Sequence, residues 1–93
     1  MGVAVTFCSV FPDVHHGHSR LEVEGRTLGQ VLRILELRFP LLKGRLVGSG
    51  GCLNPAYNIL VARCGGGATA CHNLDQCLDE NDEVIIVSVV TGG

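Results

Sequence analysis

The chain has 93 residues, of which 46% are hydrophobic and 17% charged, and its net charge is −2. This size and composition indicate one small packed domain and exclude an intrinsically disordered chain. The charge offers no electrostatic basis for binding nucleic acid, and no apolar run approaches the ~20 residues that a membrane span needs.

The cysteines and the N-terminal sequence predict a cytoplasmic protein. There are five cysteines, an odd number, without a Cys-x-x-Cys pair, and the first residues lack the basic start and cleavage pattern of a secretory signal. These features favour free thiols in a reducing compartment over a disulfide framework, a redox motif or a zinc ribbon. Cys8 lies in an apolar segment, and we expect it in the core.

The first two predicted elements are strands that form a hairpin. In Val3–Phe11, the side chains of Val3, Val5 and Phe7 share one face. Arg20–Glu24 alternates apolar and charged residues, as a strand does when one of its faces is exposed to water.

The segment between these strands contains a histidine cluster. His15, His16 and His18, with Asp13 nearby, can bind Zn²⁺, Ni²⁺ or Cu²⁺. A hairpin loop supplies neither a fixed geometry nor a fourth ligand, so adventitious surface binding is favoured. No structural or catalytic metal site is therefore predicted.

The clearest helix signal begins at Thr27, which forms a Thr-x-x-Gln capping box with Gln30. Apolar residues at helical spacing follow, and Pro40 ends the helix. The apolar stripe consists of Leu28, Val31, Leu32, Leu35 and Phe39. A single amphipathic helix of this kind has to bury its stripe against a sheet.

The middle of the chain carries weaker signals. Leu41–Pro55 is predicted to be a long connection whose glycine-rich part is a surface loop, since no Lys-Ser or Lys-Thr follows it to bind phosphate. Tyr57–Arg63 is predicted to be a strand, and Leu74–Leu78 a short helical turn or a bridging segment. Asp79–Asp82 is predicted to be a turn.

The last predicted strand, Val84–Val90, organises the fold. Apart from Ser88, it is apolar on both faces, which is typical of a central strand that is covered on both faces or paired on both edges. A last strand in the middle of the sheet, beside the first, gives the order ββα-β-β. The fold class is then α+β, a β-grasp roll with a mixed sheet and one main helix packed across it. The domain comprises residues 1–90, and residues 91–93 form a flexible C-terminal tail.

The tail has properties suited to a reaction on a partner enzyme. Thr91, Gly92 and Gly93, when extended, reach about 10 Å, and the two glycines leave the Gly93 carboxylate sterically open. A carboxylate is a poor acyl donor until it is activated, for example as an adenylate. The alternative is a frayed terminus without a role.

The order of the elements and the segment Leu78–Gly93 resemble the ubiquitin-like sulfur carriers. That segment has an apolar residue, an acidic turn ending in Asp82-Glu83-Val84, a hydrophobic strand and a final Gly-Gly. The family includes the small subunit of molybdopterin synthase, the thiazole and cysteine sulfur carriers and the ubiquitin-related modifier. Ser88-Val89 stands where the molybdopterin type carries two prolines, and Thr91 stands where the modifier carries His, so the branch stays open.

The resemblance implies a protein co-substrate rather than an enzyme, with no catalytic residues and no bound cofactor. A ubiquitin-activating-type enzyme would thread Thr91, Gly92 and Gly93 into its site and use ATP to adenylate Gly93, which would then become a thiocarboxylate. A synthase or thiolation enzyme would accept the sulfur for cofactor, amino-acid or tRNA biosynthesis. The free carrier would be a monomer. One alternative is a modifier conjugated through Gly93 to target lysines, and another is a non-catalytic β-grasp interaction module.

Acidic residues crowd the segment before the last strand. Asp79, Glu80, Asp82 and Glu83, with Asp75, form a predicted partner-binding patch near the exit of the tail. A basic face of the activating enzyme would be steered towards it. The alternative is an ordinary solvated turn.

Overall fold

The computed structural model describes residues 2–8, 10–11, 17, 19–48, 51–63 and 65–88. Its elements are β1 (Val3–Phe7), β2 (Arg20–Val23), α1 (Leu28–Arg38), a 3₁₀ helix (Pro40–Leu42), β3 (Tyr57–Ala62), β4 (Ala68–Ala70) and β5 (Glu83–Ser88). The predicted tail (residues 91–93) and the histidine cluster (His15, His16 and His18) lie outside the described residues. The predictions made for them therefore stay predictions.

The five strands form one mixed sheet in the order β2-β1-β5-β3-β4. β1 and β2 form the predicted antiparallel hairpin, with Val3 opposite Val23. β5 runs parallel to β1 and antiparallel to β3, so the last strand lies in the centre beside the first, as predicted. Parallel neighbours need a long crossover, which α1 and β3 provide here. With α1 packed on one face, the architecture is the predicted β-grasp.

The helix α1 begins at the predicted cap and buries the predicted stripe. The Thr27 hydroxyl oxygen accepts a hydrogen bond from the Gln30 backbone N–H at 3.2 Å, and the Gln30 side-chain oxygen accepts one from the Arg26 N–H at 2.9 Å. The helix ends at Arg38, two residues before Pro40 begins the 3₁₀ helix. The buried residues of α1 are Leu28, Val31, Leu32 and Leu35.

Residues 74–78 form the predicted bridging segment rather than a helical turn. The N–H of Leu28 donates to the Gln76 carbonyl at 3.0 Å, and the N–H of Gly29 donates to the Leu74 carbonyl at 2.8 Å. These bonds satisfy two of the N–H groups that the start of a helix leaves without partners. A Cβ at position 29 would lie 3.1 Å from the Leu74 carbonyl oxygen, which explains a glycine in the first turn.

The expectation that Cys8 belongs to the core is wrong, because Cys8 is exposed. The strand β1 ends at Phe7 rather than Phe11, although Phe11 is still buried. Successive side chains of a strand point to opposite faces, so Cys8 follows Thr6 onto the face that α1 does not cover.

Two parts of the chain contribute structure that was not predicted. Leu42 and Leu46 are completely or almost completely buried, so the connection between α1 and β3 supplies part of the core. β4 is a short exposed strand at the edge of the sheet, and its Ala-Thr-Ala sequence lacks both bulky apolar residues and alternation. It is held by backbone pairing with β3, which no local pattern reports.

One face of β5 is buried against the core, and the other is partly exposed. Val84 and Ile86 are fully buried, whereas Ile85 and Val87 are half-buried. Pairing on both edges is therefore confirmed as the reason for the apolar sequence, and coverage of both faces within the described chain is wrong. Among the described residues, no helix has the length and apolar character needed to cross a lipid bilayer.

Candidate functional site

The predicted tail follows the central strand β5, which is paired on both edges. The Ile86 carbonyl accepts a hydrogen bond from the Cys8 N–H at 2.8 Å, and Ser88 lies opposite Tyr57 of β3. Only residues 89 and 90 separate Ser88 from Thr91 in the sequence. Any reactive group at 91–93 is thus attached to a strand whose direction and register are fixed by its neighbours.

Aromatic side chains fill the core at this end of β5. Phe7 packs edge-on against Phe11 with ring centroids 6.3 Å apart, and the Phe11 and Tyr57 centroids are 4.7 Å apart. The guanidinium carbon of Arg45 lies 4.8 Å from the centre of the Phe11 ring, a cation–π contact. Phe11 has a φ of 53°, which is rare for a bulky residue. The described surroundings of this strand end are therefore aromatic, with one cation.

The acidic residues predicted to bind a partner lie at the other end of β5. The turn at residues 79–82 leads into Glu83, the first residue of the strand, whereas the chain leaves the strand after Ser88. At a rise of ~3.3 Å per residue, Glu83 and Ser88 are about 17 Å apart along β5. The prediction that this patch lies near the exit of the tail is therefore wrong, because the length of the strand separates the two.

Asp82 has a structural environment rather than a surface one. Its side chain is 4% exposed, and its Oδ2 accepts hydrogen bonds from Arg63 Nη1 at 3.1 Å and from the Asp79 N–H at 2.9 Å. Arg63 also donates to the Cys77 carbonyl at 3.2 Å. Sequence reasoning missed Arg63 because nothing near a strand end indicates a partner 19 residues away.

The other three carboxylates differ in their availability to a partner. Glu83 Oε2 accepts a hydrogen bond from the Thr6 hydroxyl and lies 3.8 Å from Arg20 Nη1, so Glu83 is tied to the face of the sheet opposite α1. Asp79 and Glu80 are exposed and border a groove of about 830 Å³ at the turn. The structure thus brings Asp79 and Glu80 together on the surface, and their partner-binding role stays a prediction.

The face of the sheet opposite α1 is partly apolar at the end where the chain leaves β5. Ile85 lies opposite Leu60, and Val87 lies opposite Asn58. All four side chains are half-buried, so apolar surface remains accessible in the centre of this face. Accessible apolar surface on a small protein is a means of binding a partner.

The described residues contain no group of three or more His, Cys, Asp or Glu side chains that could hold a metal ion. His72 Nε2 lies 3.1 Å from the Asn58 side-chain oxygen, and the Cys71 sulfur lies 3.7 Å from the Asn73 carbonyl oxygen. An amide and a carbonyl do not activate a thiol as a nucleophile. These contacts give neither residue a catalytic environment.

No protein-family model and no curated protein matches the chain, whereas several solved structures do. A chain in the crystal structure of the BexX/CysO complex of Amycolatopsis orientalis is 22% identical with a TM-score of 0.81, and the match covers 98% of this chain and 99% of that one. The CysO of Mycobacterium tuberculosis is 28% identical, with a TM-score of 0.75 and coverages of 95% and 99%. SAMP1 of Haloferax volcanii is 25% identical, with a TM-score of 0.72 and both chains fully covered.

Proposed function

Because this chain belongs to the ubiquitin-like β-grasp family of sulfur carriers and modifiers, we propose that it is a sulfur carrier that works through the carboxyl group of Gly93. The carboxylate attacks the α-phosphorus of ATP on an adenylating enzyme, and pyrophosphate leaves. Hydrosulfide then attacks the acyl carbon, AMP leaves, and Gly93 ends in a thiocarboxylate. A persulfide can supply the same sulfur if a thiol afterwards reduces the acyl disulfide. An acceptor enzyme takes the sulfur and regenerates the carboxylate.

The position of β5 is the observation that carries this proposal. The strand is central and paired on both edges, and the sequence Thr91-Gly92-Gly93 follows it after two residues. A central strand holds the start of the tail in a fixed direction, while glycines let the carboxylate enter a narrow channel. The domain then acts as a handle and the tail as the reacting group, so the catalytic side chains and the ATP site belong to the partner.

The partly apolar face of the sheet supports binding to such a partner. Ile85 and Val87 lie on the strand that leads to the tail, and both are half-buried. A tail of three small residues buries little area, so most of the binding energy has to come from the domain. A CysO protein of the same fold has been solved in a complex with BexX, which supports the expectation of a partner protein.

The test is an intact mass measurement of the protein purified from its own cells. We expect a species heavier by the difference between sulfur and oxygen, with fragmentation assigning the change to Gly93. Deletion of Gly92 and Gly93 is the matched control and should abolish the species. A free carboxylate alone, which also stays unchanged after incubation with the adenylating enzyme, ATP and sulfide, would refute the proposal and leave a non-catalytic interaction module.

A modifier is the second candidate, because one similar structure is named a small archaeal modifier protein. In this function an amine attacks the activated Gly93 carbonyl and an isopeptide bond forms. Lys43 is the single lysine of the chain and is exposed, so lysine-linked chains have one possible acceptor. High-mass conjugates that require Gly93 would favour this function. Lys43→Arg should remove linked chains and leave single attachments.

A further inference from the structure

Two exposed leucines stand out on the helical side of the domain. Leu37 is 75% exposed and Leu41 is 60% exposed, and they are the exposed large hydrophobic residues of the described chain. Leu37 lies on the side of α1 opposite the buried stripe, where a helix normally presents polar residues. Leu41 lies four residues later, in the 3₁₀ helix. The spacing of Leu37 from the stripe is visible in the sequence, but the helical signal directed attention to the buried side.

Basic residues surround these leucines. Arg33 lies one helical turn before Leu37 on the same side of α1, and Lys43 follows the 3₁₀ helix. Both are exposed, and neither has an ion-pair partner among the described residues. Arg38 is also exposed and donates to a backbone carbonyl at 3.4 Å. We call these five residues the cationic leucine patch: Arg33, Leu37, Arg38, Leu41 and Lys43.

The patch lies at the end of the domain from which the chain leaves β5. Phe39, between Leu37 and Leu41, packs edge-on against Phe7 with ring centroids 6.1 Å apart. Phe7 lies opposite Ile86 in the sheet, two residues before the end of β5. An enzyme that holds residues 91–93 is therefore close to this patch. The acidic turn is about one strand length away, at the other end of β5.

We propose that the cationic leucine patch is a docking surface for the adenylating enzyme, which receives Leu37 and Leu41 in an apolar groove rimmed by carboxylates. This inference rests on the proposed function and adds a second contact, on the helical side, to the apolar face of the sheet. The leucines supply apolar area, and the unpaired cations select a partner of opposite charge.

Charge and area argue against the two other occupants. In a two-fold dimer the patch would face its own copy, and Arg33, Arg38 and Lys43 would be brought against three equal charges. A membrane-surface helix needs a broad apolar face, whereas α1 has its stripe buried in the core and only Leu37 remains outside. An enzyme groove needs no more than the two leucines and their cationic rim.

The experiment measures pyrophosphate release by the adenylating enzyme of the same cells as the concentration of this protein is varied. The variants are Leu37→Ser with Leu41→Ser, and Arg33→Gln with Lys43→Gln. Arg26→Gln is the matched control, since Arg26 is an exposed arginine next to the start of α1, at the other end of that helix. Thermal unfolding of each variant shows that it is folded at the assay temperature.

We expect the leucine variant to raise KM about 10- to 100-fold, as loss of two buried apolar anchors does, while kcat stays unchanged because the tail is intact. The charge variant should raise KM several-fold at low ionic strength and differ less from the wild type as salt is added. Arg26→Gln should behave as the wild type.

The possible failures are distinguishable. A wild-type protein that is not adenylated refutes the proposed function and this inference with it. Normal adenylation together with an unchanged KM for the leucine variant refutes the patch alone. Two further results would also overturn it: binding to phosphatidylserine vesicles that requires the leucines while KM is unaffected, or a dimer in sedimentation velocity that the leucine variant dissociates.

Discussion

Replacement of Asp82 by alanine should lower the free energy of unfolding by about 2 kcal/mol. The carboxylate is 4% exposed and accepts two hydrogen bonds, one from Arg63 and one from the Asp79 N–H. A hydrogen bond to a charged group contributes ~1.5–3 kcal/mol, and a buried group that loses its partner costs a similar amount. The Arg63 side chain is 43% exposed and regains water when the carboxylate is removed, which reduces the expected loss for that pair.

Urea unfolding followed by circular dichroism measures this effect. For a domain of this size, with a slope of ~1 kcal/mol per M, the midpoint should fall by about 2 M. Glu80→Ala in the same turn is the matched control and should change stability by less than ~0.5 kcal/mol, because that side chain is exposed. Arg63→Ala, alone and combined with Asp82→Ala, completes a double-mutant cycle that isolates the pair.

The structural role assigned to Asp82 would be refuted by a loss below ~0.5 kcal/mol, since a buried carboxylate cannot then be holding the turn. A coupling energy of zero between Asp82 and Arg63 would show that the ion pair contributes nothing. In that case the stabilisation would reside in the hydrogen bond from Asp79.

Three further predictions concern β5, the acidic turn and an exposed thiol. Ile86→Ala should cost about 2–5 kcal/mol because Ile86 is fully buried, and Ile85→Ala should cost only about 1 kcal/mol because Ile85 is half-buried, as chemical denaturation can measure; equal losses would contradict the one-sided burial of β5. If the acidic turn binds the adenylating enzyme, Asp79→Lys with Glu80→Lys should slow adenylation most at low ionic strength, and unchanged kinetics there would exclude the interaction. Cys8 is exposed, so the folded protein should react with a maleimide at Cys8 as fast as the urea-unfolded protein does; strong protection on folding would return Cys8 to the core.

The helix and the central strand could be predicted because their signals are local. Thr27 and Gln30 are three residues apart, and the stripe of α1 repeats within one helix, so adjacent sequence states both the start of the helix and its buried side. β5 could be placed in the centre because an apolar sequence on both faces needs pairing on both edges. The resemblance of Leu78–Gly93 to sulfur carriers rested on the same continuous segment.

The remaining errors have one physical origin, which is pairing between distant parts of the chain. Cys8 looked apolar in sequence, but the extent of β1 and the side of the sheet that α1 covers decide its exposure. β4 has no pattern of its own and exists through its hydrogen bonds with β3. The acidic segment is close to the tail in sequence, yet an extended strand places its two ends about 17 Å apart.

The sequence by itself determined the capped amphipathic helix, the central position of the last strand and the likeness to sulfur carriers, because each depends on residues that are neighbours along the chain. The tertiary structure alone decided that Asp82 is buried against Arg63, that the acidic turn and the chain's exit are at opposite ends of β5, and that Leu37 and Leu41 lie with free cations near that exit. These features follow from which distant segments pack together. Such packing is set by burial of the whole core rather than by any local pattern.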